Sequence, residues 1–118
     1  MSLPFQIRFA GYSPPYTTHS RAAARFREAL TDRLGAAVRV NIFWNVFDFG
    51  YKGMDLINMV ERGQLTMCYS STAYGLSDII PELQILDLPY IFENEEHAHQ
   101  ALDGELGAYL TRKIESLK

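Results

Sequence analysis

The chain has 118 residues, a formal net charge of −3 and a single cysteine, Cys68. That length suits one small domain, and a hydrophobic content of 47% excludes a disordered chain. The acidic balance argues against a nucleic-acid binder, and a lone thiol excludes a disulfide framework and a cysteine-rich zinc site.

Phe5 to Ala10 alternates apolar and polar residues, which predicts a half-buried strand. Gly11 opens a loop through Tyr16 that Pro14 and Pro15 keep out of helix. Thr17 or Thr18 is the candidate N-cap of a helix reaching Leu34, with Ala22, Phe26, Leu30 and Leu34 as its apolar stripe. Gly35 stands where a left-handed cap is expected. Val38 to Phe43 alternates again and predicts a second strand. Trp44 to Gly50 is aromatic but broken by Asn45 and Asp48, which predicts a loop with partly buried rings. Lys52 to Arg62 predicts a second helix with Leu56, Ile57 and Val60 inward and Gly63 at its end.

The stretch Leu65 to Phe92 organises the rest. Its apolar run Leu65 to Tyr69 predicts a third strand, joined to the preceding helix by a short link usual in α/β units. The run ends in Ser70, Ser71 and Thr72, and one helical turn is expected over Thr72 to Leu76. Pro81 and Pro89 predict extended or irregular pieces. Glu95 to Leu102 and Glu105 to Leu117 predict two helices, the second striped by Leu106, Leu110, Ile114 and Leu117. No apolar run approaches the ~18 residues of a membrane span.

Strand–helix–strand–helix–strand predicts an α/β fold: a parallel three-stranded sheet, order 2-1-3, with right-handed crossovers and flanking helices. The third strand is apolar enough to be covered on both faces, and no fourth strand follows. The sequence therefore reads as the first part of a larger domain. An open apolar edge also invites pairing with a second copy, which gives an alternative reading: a small self-associating α/β assembly domain, a homodimer through the sheet edge, with no ligand of its own.

These motifs together resemble the N-terminal lobe of TRAP-type solute-binding proteins of the dicarboxylate-receptor kind, the extracytoplasmic receptors of tripartite ATP-independent transporters. Four pieces carry the likeness in order: FQIRFAG with the loop and AARFREAL; Phe49-Gly50 ahead of a helix ending Val60-Glu61-Arg62-Gly63; the strand Leu65 to Tyr69 with its hydroxyl end; and PELQILDLPYIF followed by EEHAHQALDGELGAYL. Asn45 departs from the pattern, standing where the family usually has proline, in an unusually aromatic loop. The resemblance implies a periplasmic-binding-protein-like lobe, with residues 1–118 as its single domain and the second lobe absent. It implies a periplasmic receptor for a small organic acid or related polar solute, partnered by TRAP membrane subunits, with no cofactor, no metal and no catalysis. The Met1-Ser2-Leu3 start reads as a cloning scar, in keeping with a removed export signal. The family's arginine clamp on the ligand carboxylate belongs to the second lobe.

Candidate ligand contacts follow from the strand ends. In parallel sheets ligands sit at the carboxyl ends of the strands. Tyr12 and Tyr16 are the aromatic candidates in the first loop, where the plain alternative is a proline-fixed connection. Ser70, Ser71 and Thr72 match ligand-touching positions of the family, and a helix-capping turn is the structural alternative. Tyr74 is a further candidate, and Lys52 is placed to pair with a carboxylate or to be solvated at a helix start. Cys68, mid-strand in an apolar run, reads as a core residue rather than a nucleophile. His97 and His99 are two apart on a predicted helix and do not share a face, which argues against a metal pair.

Overall fold

The computed structural model describes residues 2–117, which fall into two compact units, one ending at Ser70 and the other beginning at Ser71. In the first unit, β1 (Phe5–Ala10) lies between β2 (Val38–Phe43) and β3 (Met67–Cys68), all parallel, in the expected order 2-1-3. Phe5 is registered with Val38 and Ala10 with Phe43, while Phe9 and Ala10 face Met67 and Cys68. The third strand is shorter than its apolar run: the ladder covers Met67 and Cys68, flanked by Thr66 N–H to the Arg8 carbonyl at 2.9 Å and Tyr69 N–H to the Ala10 carbonyl at 3.3 Å. The Thr66 hydroxyl takes the place of a ladder partner, accepting the Arg8 N–H at 3.0 Å. The edge on which an assembly reading rests is therefore two residues long.

Alternation along β1 divides the core in two. Ile7 and Phe9 pack with Val38, Val40 and Ala23 of α1 (Thr18–Leu34) on one face. Ala10 packs on the other with Val46, Leu65 and Leu56 of α2 (Asp55–Glu61). Thr17 caps α1, its hydroxyl accepting the Ser20 N–H. The buried positions of α1 are Ser20 and Ala23, not the expected stripe: Ala22, Phe26 and Leu34 are exposed and Leu30 is half-buried. Small residues let the helix sit close on the sheet, and Phe26 reaches over the edge of that contact to place its ring 5.7 Å from Phe9. Gly35 has φ +52° but ψ −128°, so it is not a left-handed cap; it opens a 3-10 turn, Gly35–Ala37, that leads into β2.

Two loops differ from expectation. Trp44 to Gly50 contains a 3-10 turn, Val46–Phe49, that buries Val46 and leaves Phe47 and Phe49 exposed. Asn45 starts that turn, its side-chain oxygen accepting the Phe47 N–H at 3.2 Å. The second helix begins at Asp55 rather than Lys52, because the Asp55 carboxylate accepts the Lys52 N–H at 2.7 Å and holds the preceding residues in a turn. Arg8 fixes the link from α2 to β3 by donating to the Gly63 and Gln64 carbonyls, each at 2.9 Å.

In the second unit, α3 (Leu76–Ile79) starts later than the turn expected at Thr72, since residues 72–75 form a non-helical turn ending at Gly75 with φ +93°. Pro81 opens a 3-10 helix, Pro81–Asp87, where irregular backbone is expected; proline at a first helical position loses no internal hydrogen bond. α4 (Glu95–Asp103) is capped by Asn94, whose side-chain oxygen accepts the His97 N–H at 2.8 Å. α5 (Glu105–Glu115) buries Leu110 against Ile80 and Leu83, with Leu106 half-buried; Ile114 and Leu117 of the expected stripe are exposed. Among the described residues no helix is long and apolar enough to cross a membrane, and no group of side chains is placed to hold a metal ion.

Candidate functional site

All three strands run the same way, so their carboxyl ends lie on one edge of the first unit. Tyr12 follows β1 there, and Ser70 follows β3. The first loop is tied to the loop after β2 by main-chain bonds: Gly11 N–H to the Phe43 carbonyl at 3.0 Å, Val46 N–H to the Gly11 carbonyl at 3.0 Å, and Ser13 N–H to the Trp44 carbonyl at 3.3 Å. Tyr12 and Asn45 thereby form an antiparallel bridge. The backbone of Tyr12 is thus fixed by main-chain bonds on both sides.

A group of hydroxyls lies behind that edge. The Tyr69 phenol oxygen is 2.7 Å from Ser13 Oγ and 3.4 Å from Ser20 Oγ. Ser13 Oγ is also 2.8 Å from Thr17 Oγ1, and Ser20 Oγ donates to the Ser13 carbonyl at 2.8 Å. Ser20 is 0% exposed, so its satisfied hydroxyl is what allows a polar side chain inside the core. Three rings stand on this base. His19 lies nearly parallel to Tyr69, 14° between planes with centroids 5.6 Å apart. Tyr12 is 5.2 Å from Tyr69 and 5.8 Å from His19. Gly11 makes room for the arrangement: a Cβ there would fall within 2.5 Å of the Tyr69 phenol oxygen.

The remaining candidates are placed as follows. Tyr16 is 81% exposed in the turn before α1, outside the ring group just described. Lys52 is exposed in the turn before α2. Ser71, Thr72 and Tyr74 belong to the second unit. There Ser71 Oγ accepts the Ala73 N–H at 3.3 Å, its carbonyl accepts the Tyr74 N–H at 3.0 Å, and the Thr72 hydroxyl donates to Asp87 Oδ1 at 3.2 Å. Thr72 also accepts from Ser77 at its carbonyl, so this serine–threonine run caps a turn. Cys68 is half-buried and burial pushes its thiol above the ordinary 9.0, which keeps it protonated and a weak nucleophile.

An apolar hollow of about 210 Å³ opens on the α2 face of the first unit, lined chiefly by Ala10, Phe43, Val46, Phe49 and Leu65. Its one guanidinium, Arg8, is bound to the Gly63 and Gln64 carbonyls. The hollow therefore offers little to an anion.

The chain matches the bacterial extracellular solute-binding protein family 7 over residues 9–117. It belongs to that family. The C4-dicarboxylate-binding periplasmic protein DctP of Rhodobacter capsulatus is 29% identical over 113 residues, which are 96% of this chain and 33% of that protein. The sugar acid binding protein of Advenella mimigardefordensis, solved with galactonate, superposes with a TM-score of 0.87 at 30% identity, over 96% of this chain and 36% of that one. A TRAP periplasmic solute-binding protein of Sulfurospirillum deleyianum, solved with succinate, also gives 0.87 at 24% identity, over 98% of this chain and 36% of its own. This family 7 chain thus spans about a third of the length of the relatives it matches.

Four residues around the family 7 strand ends escape a sequence reading: Ser13, His19, Ser20 and Tyr69. A signal exists for one of them. Ser20 occupies an inward position three residues before Ala23, where a small hydroxyl among helix formers marks close approach to another element. His19 and Tyr69 meet only through the fold, 50 residues apart in sequence order of the chain.

Proposed function

We propose that the chain is the N-terminal lobe of the extracytoplasmic receptor of a TRAP transporter, contributing one side of the cleft that receives a small carboxylate-bearing solute. The observation that carries this reading is the parallel sheet of a family 7 chain with Tyr12 and Ser70 at the carboxyl ends of neighbouring strands. The solutes of the relatives, C4-dicarboxylates and a sugar acid, support an organic acid as ligand. Within the first unit Ser70 and Tyr12 supply hydroxyl and ring contacts, and Tyr16 and Lys52 extend the contact surface, Lys52 as the cation; Ser71, Thr72 and Tyr74 are separate candidate contacts of the second unit. The chain works by binding rather than catalysis, which its membership of a solute-binding family supports. In the whole receptor a second lobe closes over the solute, and contacts made only in the closed state shift the hinge equilibrium toward it. The closed receptor then docks on the transporter's membrane subunits in the periplasm.

With one side of a cleft, the 118-residue chain should bind organic acids weakly, with dissociation constants on the order of millimolar. Titration of the labelled chain with succinate, galactonate and galacturonate, read by amide shifts, tests this. Shifts confined to the Tyr12 and Ser70 edge and to residues 71–74 support the receptor reading. Micromolar binding refutes the half-cleft, and silence of these residues toward every acid refutes the receptor.

A further inference from the structure

We propose that His97 is a pH-sensitive latch, which holds the strap of residues 88–93 against the start of α4 while its imidazole is neutral and releases it on protonation. Asn94 caps α4 in the ordinary way, its side-chain oxygen accepting the His97 N–H at 2.8 Å. The His97 side chain then reaches back beyond that cap, and its Nδ1 accepts the Glu93 N–H at 3.1 Å. The imidazole also meets the Phe92 ring edge to face, 89° between planes with centroids 5.6 Å apart. One side chain therefore holds both a ring and a main-chain N–H of the strap.

The latch depends on a single lone pair. In the common form of this cap a glutamate or glutamine reaches back from the same helical position, and its oxygen accepts at neutral and mildly acid pH alike. An imidazole accepts at Nδ1 only while its proton sits on Nε2; the protonated ring carries N–H at both nitrogens. Protonation sets two donors face to face, Nδ1–H and Glu93 N–H, so the ring must turn and leave Phe92. Histidine is the side chain that makes this change near neutral pH. The start of α4 carries the positive end of the helix dipole, which disfavours a cation held there. Glu93, Glu95 and Glu96 flank the imidazole in sequence, and Glu95 lies 3.8 Å from His99 Nε2. From α5, which packs along α4, come Glu105, Arg112, Lys113 and Glu115; among the described residues none of them is bonded to His97. The acids give an imidazolium somewhere to turn, but none restores the acceptor that the Glu93 N–H loses.

The strap is poised to move once released. Tyr90 has φ +60°, a left-handed conformation unfavourable for a residue with a side chain. Its side chain is 100% exposed, so packing returns nothing for that strain. Leu88 and Ile91 are exposed as well. Opening lets Tyr90 relax and changes how these three apolar side chains are presented. The device lies wholly within the second unit and does not rest on the receptor reading.

NMR on the labelled 118-residue chain tests it, following the His97 ring protons and the Glu93 amide together from about pH 8 to about pH 5. As the His97 ring titrates, the Glu93 amide should shift, and its protection from exchange should fall roughly fivefold, the worth of one such hydrogen bond. The amides of Tyr90, Ile91 and Phe92 should move with the same midpoint. His97 is exposed, so its variants will fold. His97→Gln keeps an acceptor and should hold the strap at both ends of the range, while His97→Ala should leave it open at both. His99→Ala removes the other imidazole of α4 and should leave the transition in place. A Glu93 amide that does not follow the His97 ring, or an unchanged transition in His97→Gln, overturns the latch.

Discussion

Gly11→Ala is the sharpest test of how the sheet edge is built. Gly11 is not among the residues with positive φ, so alanine there is not strained by its backbone. The obstacle is the Tyr69 ring, whose outer atoms occupy the space a Cβ needs. The backbone cannot retreat easily, because its N–H and carbonyl are bonded to Phe43 and Val46 at 3.0 Å each. The ring must therefore leave. That breaks the 2.7 Å hydrogen bond to Ser13 and the ring contacts with Phe9, Tyr12 and His19. Taking about 1 kcal/mol for the hydrogen bond and about 0.5 for each ring contact, the loss is about 2.5 kcal/mol. Urea unfolding read by Trp44 fluorescence measures it. Trp44 is the single tryptophan, and it reports on the first unit, where the Arg27 guanidinium lies 5.5 Å above its ring. If the ring is the cause, Gly11→Ala costs almost nothing in a Tyr69→Ala background, and the coupling energy nearly equals the single-variant loss. A cost below about 0.5 kcal/mol, or an equal cost in both backgrounds, refutes the reasoning.

Two further outcomes are expected. At Gly107 an added Cβ would lie 2.6 Å from the Leu102 carbonyl carbon and closer still to its oxygen; because the obstacle is backbone, Gly107→Ala should cost about 3 kcal/mol, seen as loss of helical circular dichroism at lower urea, and an unchanged midpoint would show that α4 and α5 do not approach so closely. Burial holds the Cys68 proton to higher pH in the folded chain than in the unfolded one, so its contribution is full below 9.0 and falls as pH rises through the raised folded value. The stability difference between the parent chain and Cys68→Ala should narrow above that pH, and a thiol reagent should react more slowly with the native chain than with the unfolded one; a difference independent of pH contradicts the burial effect.

The sheet was legible because its signals are local and periodic. Two-residue alternation in Phe5 to Ala10 and Val38 to Phe43 marks strands with an inward face, the second turning Val38 and Val40 to the core and Arg39 and Asn41 outward, and both strands have the expected bounds. The third strand was legible as an element but not in its length. Hydrophobicity predicts burial, and Leu65 is buried, yet pairing needs a neighbour: where β1 presents Arg8, the Thr66 hydroxyl competes with the main chain for its N–H. Helix faces failed for a related reason. A stripe of large residues on α1 looks like the packing face, but a sheet contact at close range selects Ser20 and Ala23. Proline at Pro81 was misleading because the same residue that stops a helix also starts one.

The site was legible only at its main-chain level. Parallel strands, and with them the position of Ser70 and Tyr12 at one edge, follow from the α/β alternation, while the order 2-1-3 goes with the family resemblance, so the edge could be named from the sequence. What stands on the edge could not, because it depends on three side chains meeting from separate segments: the loop after β1, the first turn of α1 and the end of β3. Tyr69 in particular reads as the last residue of an apolar run, a position whose side chain could lie on either face of the sheet. The turn toward α1 is settled by Gly11, which leaves the space, and by Ser13 and Ser20, which supply partners for the phenol. Each is a small residue that carries no functional signal by itself. Their joint effect is to tie the Tyr69 ring down beside the strand ends, so substitutions at Gly11, Ser13 or Ser20 should displace that ring, read as changed chemical shifts of its protons; unchanged shifts would refute the coupling.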